Sequence, residues 1–208
     1  METQSGKIEF VSSSLKRGAK DDPARPAMNK YTTSWEGPNT TELVEKYPLQ
    51  LLMGHPRYSF HTFGDGKNTL INDIDEHRVL IDGYHYWTIR INPLDAEKRN
   101  IKQHDLVRAY NNRSAVIFAA DVSPMPGEGM IKTFESSALI DLIEGDGPKG
   151  YVDRAGCANL LTPTKSQQKG MDGMASNSCL VELAAWTPPE NIVTHHGQES
   201  AVVTENVA

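Results

Sequence analysis

Two imidazoles, a guanidinium and several hydroxyl groups are concentrated in residues 54–62, which read GHPRYSFHT. Arg57 can hold a phosphate with paired N–H donors, and Gly54 lets backbone N–H groups approach an anion closely. The other candidate contacts in this stretch are His55, His61 and Thr62. The stretch therefore has the composition of a loop that holds a polar, anionic ligand. On composition alone, an ordinary polar surface loop is the simpler interpretation.

A second candidate stretch is residues 91–96, which read INPLDA. Asn92 followed by Pro93 is typical of a helix start, with Asn92 as the cap and Pro93 in the first helical position. That capping role is sufficient by itself. The functional alternative is that Asn92 or Asp95 binds the edge of a heterocycle, since a carboxylate can accept two N–H bonds from a guanine.

A third candidate region combines residues 156–163 (GCANLLTP) and 173–178 (GMASNS). Its small residues allow the backbone to lie against a flat group. Asn159 and Asn177 each carry a hydrogen-bond donor and an acceptor that could pair with a ring. The alternative interpretation is a pair of ordinary turns.

Common catalytic signatures are absent from the sequence. It contains no GxxxxGK[ST] phosphate loop, no HExxH and no GxSxG. Cys157 and Cys179 are too few for a four-cysteine metal site or a framework of disulfides, and we expect both to pack as small apolar side chains. The residues by themselves predict no catalytic group and no metal ligand.

Charge and hydropathy exclude further classes of function. The chain has 208 residues, with 21 Lys and Arg against 27 Asp and Glu, a formal net charge of −6. Such a balance disfavours nucleic acid as a partner. No apolar run approaches the ~18 residues that a membrane span needs. The N-terminus, METQSGKIEF, carries no secretory signal, so we expect a cytoplasmic location unless the parent enzyme is exported by a signal not present in this chain.

These candidate loops lie between short predicted strands. Alternating or continuous apolar runs predict strands over residues 49–53, 84–91, 105–110, 114–122, 130–134 and 179–183. One short helix is predicted over 94–99, and residues 141–178 are predicted to be loop-rich. Many short strands with few helices favour a β-barrel-like domain and disfavour a doubly wound α/β fold.

The two ends of the chain are predicted to lie outside this barrel. Residues 1–46 are interpreted as an extended arm with a half-buried strand over 7–11 and a brief helix around Leu15 that ends at Gly18. Residues 47–186 form the predicted barrel. Residues 187–208 are polar and contain two prolines, so a flexible, disordered tail is expected.

Five segments in this order resemble the C-terminal part of the molybdopterin oxidoreductases, the dimethyl sulfoxide reductase superfamily. They read TQSGKIEF, HPRYSFHT, INPLDAEKRNIKQHDLVRAYNNR, GCANLLTP and SNSCLVEL, and the resemblance covers residues 3–186. Within the superfamily, HPRYSFHT, DRAGCANLLTP and GMASNSCLVE are most similar to the pyrogallol–phloroglucinol transhydroxylase branch, which the catechol dehydroxylases also resemble.

The resemblance implies a fold and a cofactor. The fold is a mainly β, six-stranded double-psi β-barrel of the aspartate-decarboxylase-like type, with short helices. The cofactor is molybdopterin guanine dinucleotide with molybdenum or tungsten. The positions that match the family's cofactor contacts are Gly54, His55, Arg57, His61, Thr62, Asn92, Asp95, Asn159 and Asn177.

The resemblance also implies that this chain is one part of a larger oxidoreductase. The iron–sulfur cysteines and the metal-ligating residue of the family lie in earlier domains, so we expect no catalytic activity from this portion alone. Its expected partners are upstream domains or a subunit of the same enzyme, with an iron–sulfur subunit as a further candidate. The expected substrate is a hydroxylated aromatic, as in a transhydroxylase or dehydroxylase. The alternative is a cofactor-free double-psi barrel that acts as a protein- or substrate-binding module.

This chain departs from the family pattern near the second stretch. Asn100 and His104 stand where the family often has glycine. Asparagine adopts a left-handed conformation at low cost, whereas histidine does so less readily, so His104 indicates a changed turn.

Overall fold

A computed structural model of the chain describes most of the residues that carry the candidate site. The described residues are 3–18, 22–23, 25–28, 30–31, 33–57, 74, 77–135, 137, 139–168, 171–175, 177–190 and 192. The predicted contacts His61 and Thr62, and most of the predicted tail, lie outside them. The chain divides into two compact units, residues 1–35 with 164–175 and residues 36–163 with 176–208.

Short strands dominate the described chain. The helices are α1 (Ser13–Gly18), α2 (Thr41–Lys46) and α3 (Pro93–Glu97). The strands are β1 (Leu49–Gly54), β2 (Arg78–Ile81), β3 (Tyr84–Ile91), β4 (Leu106–Tyr110), β5 (Ala115–Val122), β6 (Met130–Phe134), β7 (Leu142–Glu144), β8 (Tyr151–Asp153), β9 (Ser166–Gln168), β10 (Met171–Met174) and β11 (Leu180–Ala185). A 3₁₀ turn spans Ala158–Leu161. No helix in the described ranges exceeds six residues, so none of them could cross a membrane.

Six strands of the larger unit close into a barrel. Their order is β3-β6-β1-β11-β4-β5, and β5 pairs back to β3. The β1–β6 and β3–β5 pairs are parallel, and the other neighbouring pairs in the ring are antiparallel. The expected mainly β fold with a six-stranded barrel is therefore confirmed. All six predicted strands lie in this ring.

The barrel wall is buried on both faces along β5. Val116, Phe118 and Ala120 join the cluster that fills the barrel, whereas Ile117 and Ala119 join a second cluster. The second cluster includes Tyr86, Ile143 and Val152 and covers the outside of the strand. Burial on two faces explains why β5 reads as a continuous apolar run and not as an alternating one.

The region predicted to be loop-rich contains short strands that the sequence analysis missed. β7 and β8 pair antiparallel, and β8 also pairs with β5, so the barrel sheet continues through them. Each has only three residues, too short to show a clear period. β2 was missed as well, although it forms an antiparallel hairpin with β3 through Asp82 and Gly83.

In the smaller unit, the predicted helix is confirmed as α1 and the predicted strand over 7–11 is wrong. Only Val11 pairs, in an isolated bridge with Met28. Side chains engage the local backbone instead, since Thr3 Oγ1 donates to the Lys7 carbonyl at 2.6 Å and Glu9 Oε1 accepts from the Ser5 N–H at 2.8 Å. Such local bonds compete with a strand ladder.

The turn after α3 keeps two left-handed residues. Asn100 has φ of 54° and His104 has φ of 65°. The His104 backbone N–H donates to the Ala120 carbonyl at 2.8 Å, which compensates the conformation. His104 therefore adopts the left-handed backbone conformation that glycine favours.

Candidate functional site

The candidate residues are distributed over opposite ends of the β1–β6 strand pair. Gly54 ends β1 beside Phe134, the last residue of β6, and we call this the Gly54 end. Asp95 lies at the other end, because its Oδ2 accepts from the Gly129 N–H at 2.7 Å and the Gly129 carbonyl accepts from the Gln50 N–H at 2.9 Å. A strand of this length separates the two ends by roughly 15–20 Å.

At the Gly54 end, the chain leaves β1 beside an imidazole–carboxylate pair. The Gly54 carbonyl accepts from the Glu135 N–H at 2.9 Å, and His55 Nδ1 lies 2.9 Å from Glu135 Oε2. His55 and Arg57 are exposed. Among the described residues, no heavy atom would lie within 4 Å of a Cβ placed on Gly54, so the described part of the chain leaves the backbone open there. An anionic or planar ligand could approach this backbone closely.

Asn177 lies beside the end of β1 with its amide oriented. Its Oδ1 accepts from the Met53 N–H at 2.8 Å, and its carbonyl accepts from Gln50 Nε2 at 2.6 Å. Because the Met53 N–H can bond only to the amide oxygen, the NH₂ group is directed away from the strand. Among the described residues, the Asn177 Nδ2 makes no hydrogen bond. Asn177 therefore presents an oriented donor on an exposed surface.

Asn159 lies on the 3₁₀ turn, exposed to solvent. Its carbonyl accepts from the Thr162 N–H and from the Thr162 hydroxyl, at 3.2 and 2.9 Å. Within the described ranges, its side-chain amide forms no bond. The turn lies next to the segment that follows Asn177, because the Cys179 thiol donates to the Leu161 carbonyl at 3.1 Å. The structure thus brings Gly54, His55 and Asn177 together, and it places the turn that carries Asn159 beside the segment that follows Asn177.

Asn92 and Asp95 use their polar atoms inside the protein. Asn92 Oδ1 accepts from the Leu94 N–H at 3.0 Å, which is the predicted cap of α3, and its Nδ2 donates to the Pro126 carbonyl at 3.2 Å. The buried Asp95 carboxylate holds Gly129, and Arg99 Nη1 lies 3.8 Å from it. The structure does not bring these two residues to the Gly54 end, and their contact with a cofactor stays a prediction.

A partly buried ion pair lies behind the Gly54 end and was missed by the sequence analysis. Arg113 donates from Nη1 to Glu36 Oε1 at 2.6 Å and from Nη2 to Oε2 at 2.9 Å. Burial lowers the pKa of Arg113, but the hydrogen bonds and charge of Glu36 outweigh it and hold that pKa above its ordinary value. No spacing in the sequence links two residues 77 positions apart, so only the fold reveals the pair.

Both cysteines pack as predicted, with their thiols buried. Cys179 also enters a polar environment, because Asn111 Nδ2 and Arg113 Nη2 lie 3.9 and 3.8 Å from its sulfur. Burial raises the pKa of the Cys179 thiol to about 12, so the thiol stays protonated at neutral pH and acts as a donor. No three His, Cys, Asp or Glu side chains gather around a possible metal position in the described part of the chain.

The buried carboxyl of Asp153 organises the turn that leads to Asn159. Its Oδ1 accepts from the N–H groups of Asp141 and Ala155, and its Oδ2 accepts from the Cys157 N–H at 2.7 Å. Burial raises the pKa of Asp153 to about 6, although these three N–H groups partly offset that effect.

This raised pKa predicts a pH dependence of stability. Below about pH 4, Asp153 is protonated in the folded and unfolded chains and carries no penalty. As the pH rises through about 6, the unfolded chain has already lost the proton, and the folded state loses on the order of 2–3 kcal/mol. Urea unfolding from pH 4 to 8 should show this loss relative to an Asp153→Asn variant. Parallel profiles for the two proteins would contradict it.

Residues 145–150 read GDGPKG, a glycine pattern found in dinucleotide-binding loops, but here it forms a hairpin turn. It joins β7 to β8, and the Gly145 N–H donates to the Gly150 carbonyl at 3.1 Å. A Cβ on Gly147 would lie 1.5 Å from the Tyr151 carbonyl oxygen. The nucleotide motif requires a helix after its glycines, so these glycines serve the turn.

With this geometry established, comparison with known proteins gives the class of the chain. Residues 49–180 match the model of a family described as the molydopterin dinucleotide binding domain. The chain belongs to this family.

Two curated proteins are similar in sequence to this chain over most of its length. Over 189 residues the chain is 45% identical to the pyrogallol hydroxytransferase large subunit of Pelobacter acidigallici, covering 89% of this chain and 21% of that protein. It is 28% identical over 187 residues to the trimethylamine-N-oxide reductase of Haemophilus influenzae, covering 87% of this chain and 20% of that protein. The chain thus spans about one fifth of the length of these curated relatives.

A solved structure supports the fold independently. Acetylene hydratase from Pelobacter acetylenicus superposes with a TM-score of 0.60 at 15% sequence identity, covering 88% of this chain and 24% of that protein. At this identity the likeness bears on the fold alone.

Proposed function

We propose that this chain binds a molybdopterin guanine dinucleotide, with molybdenum or tungsten, as the C-terminal portion of an oxidoreductase that acts on hydroxylated aromatics. The family and the barrel support the cofactor class. The 45% identity to a pyrogallol hydroxytransferase large subunit supports the substrate class and a transhydroxylase or dehydroxylase type of reaction.

The observation that carries the proposal is the oriented amide of Asn177 beside the open backbone at Gly54. A dinucleotide offers phosphate and carbonyl oxygens, which need N–H donors, and heterocycle edges, which need mixed donors and acceptors. Asn177 Nδ2 supplies an oriented donor, and the Asn159 amide supplies a donor and an acceptor. The described residues therefore fit the group.

The roles of this chain's residues follow from their positions. Asn177 donates to an oxygen of the dinucleotide, Asn159 pairs with a heterocycle edge, and Gly54 gives close access to the backbone. Exposed His55 and Arg57 add donors for phosphate. His61 and Thr62, outside the described residues, complete the proposed set. When bound, the cofactor's metal supplies the electron-transfer chemistry, and the chain holds and orients the cofactor.

The proposal includes an organisation for the chain. Residues 1–46 connect to preceding domains of the enzyme, and 47–186 bind the cofactor. The partners are the upstream domains or a subunit of the same enzyme, together with an iron–sulfur subunit. The one-fifth coverage of longer relatives supports this organisation.

A pair of substitutions at Asn177 tests the cofactor contact. Asn177→Asp keeps the oxygen that accepts from Met53 but removes the donor, whereas Asn177→Ala removes both. We expect both variants of the native protein to retain about tenfold less dinucleotide, because a buried or anionic acceptor left without its donor is costly. The measurement is bound molybdenum, tungsten and released guanine nucleotide per protein, after production in a host that makes the cofactor.

Asn100→Asp is the control, since it makes the same change at another exposed asparagine, in the turn after α3. Wild-type cofactor content in Asn177→Asp would contradict the role of Asn177. A folded wild-type complex that contains no metal and no guanine nucleotide would contradict the proposed function and favour a cofactor-free binding module.

A further inference from the structure

A partly buried ion pair joins the two loops that carry Asn159 and Asn177, in addition to the direct bond from the Cys179 thiol to the Leu161 carbonyl. The pair consists of Glu36, which precedes α2, and Arg113, in the turn between β4 and β5. Neither side chain belongs to the loops themselves. Glu36 contacts the Asn177 loop, Arg113 contacts the Asn159 turn and also lies 3.8 Å from Cys179 Sγ, and the two side chains contact each other through two short hydrogen bonds.

Glu36 contacts the segment that follows Asn177 at two points. The Glu36 N–H donates to Ser178 Oγ at 2.8 Å, and Glu36 Oε2 accepts from the Leu180 N–H at 3.0 Å. Residues 178 and 180 both follow Asn177 within three positions. The backbone direction after Asn177 is therefore set by one glutamate.

Arg113 holds the loop of Asn159. Its Nε donates to the Leu161 carbonyl at 2.8 Å, two residues after Asn159. Asn111 also connects the two loops, because its Nδ2 donates to the Leu161 carbonyl at 2.8 Å and to the Leu180 carbonyl at 3.2 Å. A continuous series of bonds thus runs from the Asn159 turn through Arg113 and Glu36 to the Asn177 loop.

Stability alone does not account for a pair of this kind. Burying two charges costs about as much as their attraction returns, and well-packed apolar residues often stabilise a fold equally well. What a bidentate arginine–carboxylate pair adds is a fixed geometry, since the planar guanidinium directs its donors along set lines. Here those lines fix two main-chain segments relative to each other.

We propose that Glu36 and Arg113 are positioning residues that hold Asn159 and Asn177 at the spacing the dinucleotide requires. This inference rests on the proposed function, because the spacing matters only if both asparagines contact one ligand. Neither residue of the pair touches the ligand. The pair acts by keeping the two amides preorganised, so that binding does not have to order the loops.

The test compares this pair with a matched ion pair elsewhere in the barrel. Arg113→Met and Arg113→Lys change the positioning pair, in which 25% of the Arg113 side chain and 10% of the Glu36 side chain are exposed. Arg90→Met changes the control pair, in which Arg90 Nε lies 2.7 Å from Asp121 Oδ2 and the exposures are 24% and 19%. The control pair joins β3 to β5.

Two measurements are made on the native protein containing this chain. The first is guanine nucleotide retained per protein, set beside the thermal midpoint of each variant. The second is amide hydrogen exchange of residues 159–162 and 177–180 in protein produced without the cofactor. Amide exchange measures the local opening of the two loops directly and does not depend on enzyme activity.

We expect Arg113→Met to retain about tenfold less nucleotide than wild type, the scale seen when a supporting group behind a ligand contact is removed. Exchange should accelerate in both loops. Arg113→Lys should retain an amount of nucleotide between those of wild type and Arg113→Met. The reason is that lysine keeps the charge but cannot bond to Glu36 and Leu161 in the same plane. Arg90→Met should lower the thermal midpoint comparably while nucleotide content and loop exchange stay at wild-type values.

Two results would overturn the inference. Nucleotide content that follows the thermal midpoint in all variants, Arg90→Met included, would mean that the pair only stabilises the fold. Wild-type nucleotide content in Arg113→Met would mean that the loops need no such support. Absence of nucleotide from wild type itself would instead reject the proposed function, and with it the ligand on which this inference rests.

Discussion

Replacing Asp141 with alanine should lower the free energy of unfolding by about 4 kcal/mol, because it leaves a buried arginine without its carboxylate. Arg154, with only 6% of its side chain exposed, donates from Nε and Nη2 to Asp141 Oδ2 at 2.9 and 2.8 Å. Tyr84 donates to the same oxygen at 3.1 Å, and burial together with Asp141 raises the pKa of that hydroxyl. Denaturant unfolding of wild type and variant measures the loss.

Asp146→Ala is the matched control for this prediction. Asp146 also faces an arginine, with its Oδ2 3.4 Å from Arg108 Nη1, but 91% of its side chain is exposed. Exposed pairs contribute about 0–1 kcal/mol, so the control should unfold almost as wild type does. Similar losses in the two variants would show that burial of Arg154 is not the cause.

Replacing Gly156 with alanine should cost about 3–4 kcal/mol of folding free energy. Gly156 has φ of 85°, which costs an L-residue about 1–2 kcal/mol. Its new Cβ would also lie 2.9 Å from Cδ1 of Trp87, a buried side chain, and overpacking of a core typically costs about 1–3 kcal/mol. The shift of the denaturation midpoint, with the slope unchanged, gives the value.

Gly150→Ala separates the backbone cost of a positive φ from the cost of the contact with Trp87. Gly150 has a similar φ of 77°, but a Cβ there meets no heavy atom of the described chain within 4 Å. It should therefore show the backbone cost alone, about 1–2 kcal/mol. If Gly156→Ala were no more harmful than Gly150→Ala, the contact with Trp87 would have no energetic role.

The strands of the barrel could be predicted from sequence because each carries its own hydrophobic signal. β3 and β5 are rich in aromatic and β-branched residues, and Asn92 with Pro93 marks the start of α3. The closure of the ring could not be predicted in this way. It depends on the parallel pairing of β1 with β6 and of β3 with β5, which joins strands far apart in sequence.

The candidate site was predictable in composition but not in arrangement. Asn159 and Asn177 stand out as amides among small residues, yet nothing local shows that the Met53 N–H orients Asn177. The same limit applies to Asn92 and Asp95, which have suitable chemistry but are engaged at the other end of β1. Glu36 gave no signal, because a single glutamate near a glycine and a proline reads as a surface residue.

The hydrogen bonds that connect the Asn159 turn to its neighbours converge on one main-chain atom, the carbonyl oxygen of Leu161. It accepts from Asn111 Nδ2, Arg113 Nε and the Cys179 thiol. A carbonyl is present whatever amino acid occupies position 161, so mutation of that residue cannot delete the acceptor. The choice of amino acid at position 161 is limited by the apolar volume that the buried Leu161 side chain fills. Substitution of any of the three donor residues, in contrast, removes a hydrogen bond to this carbonyl.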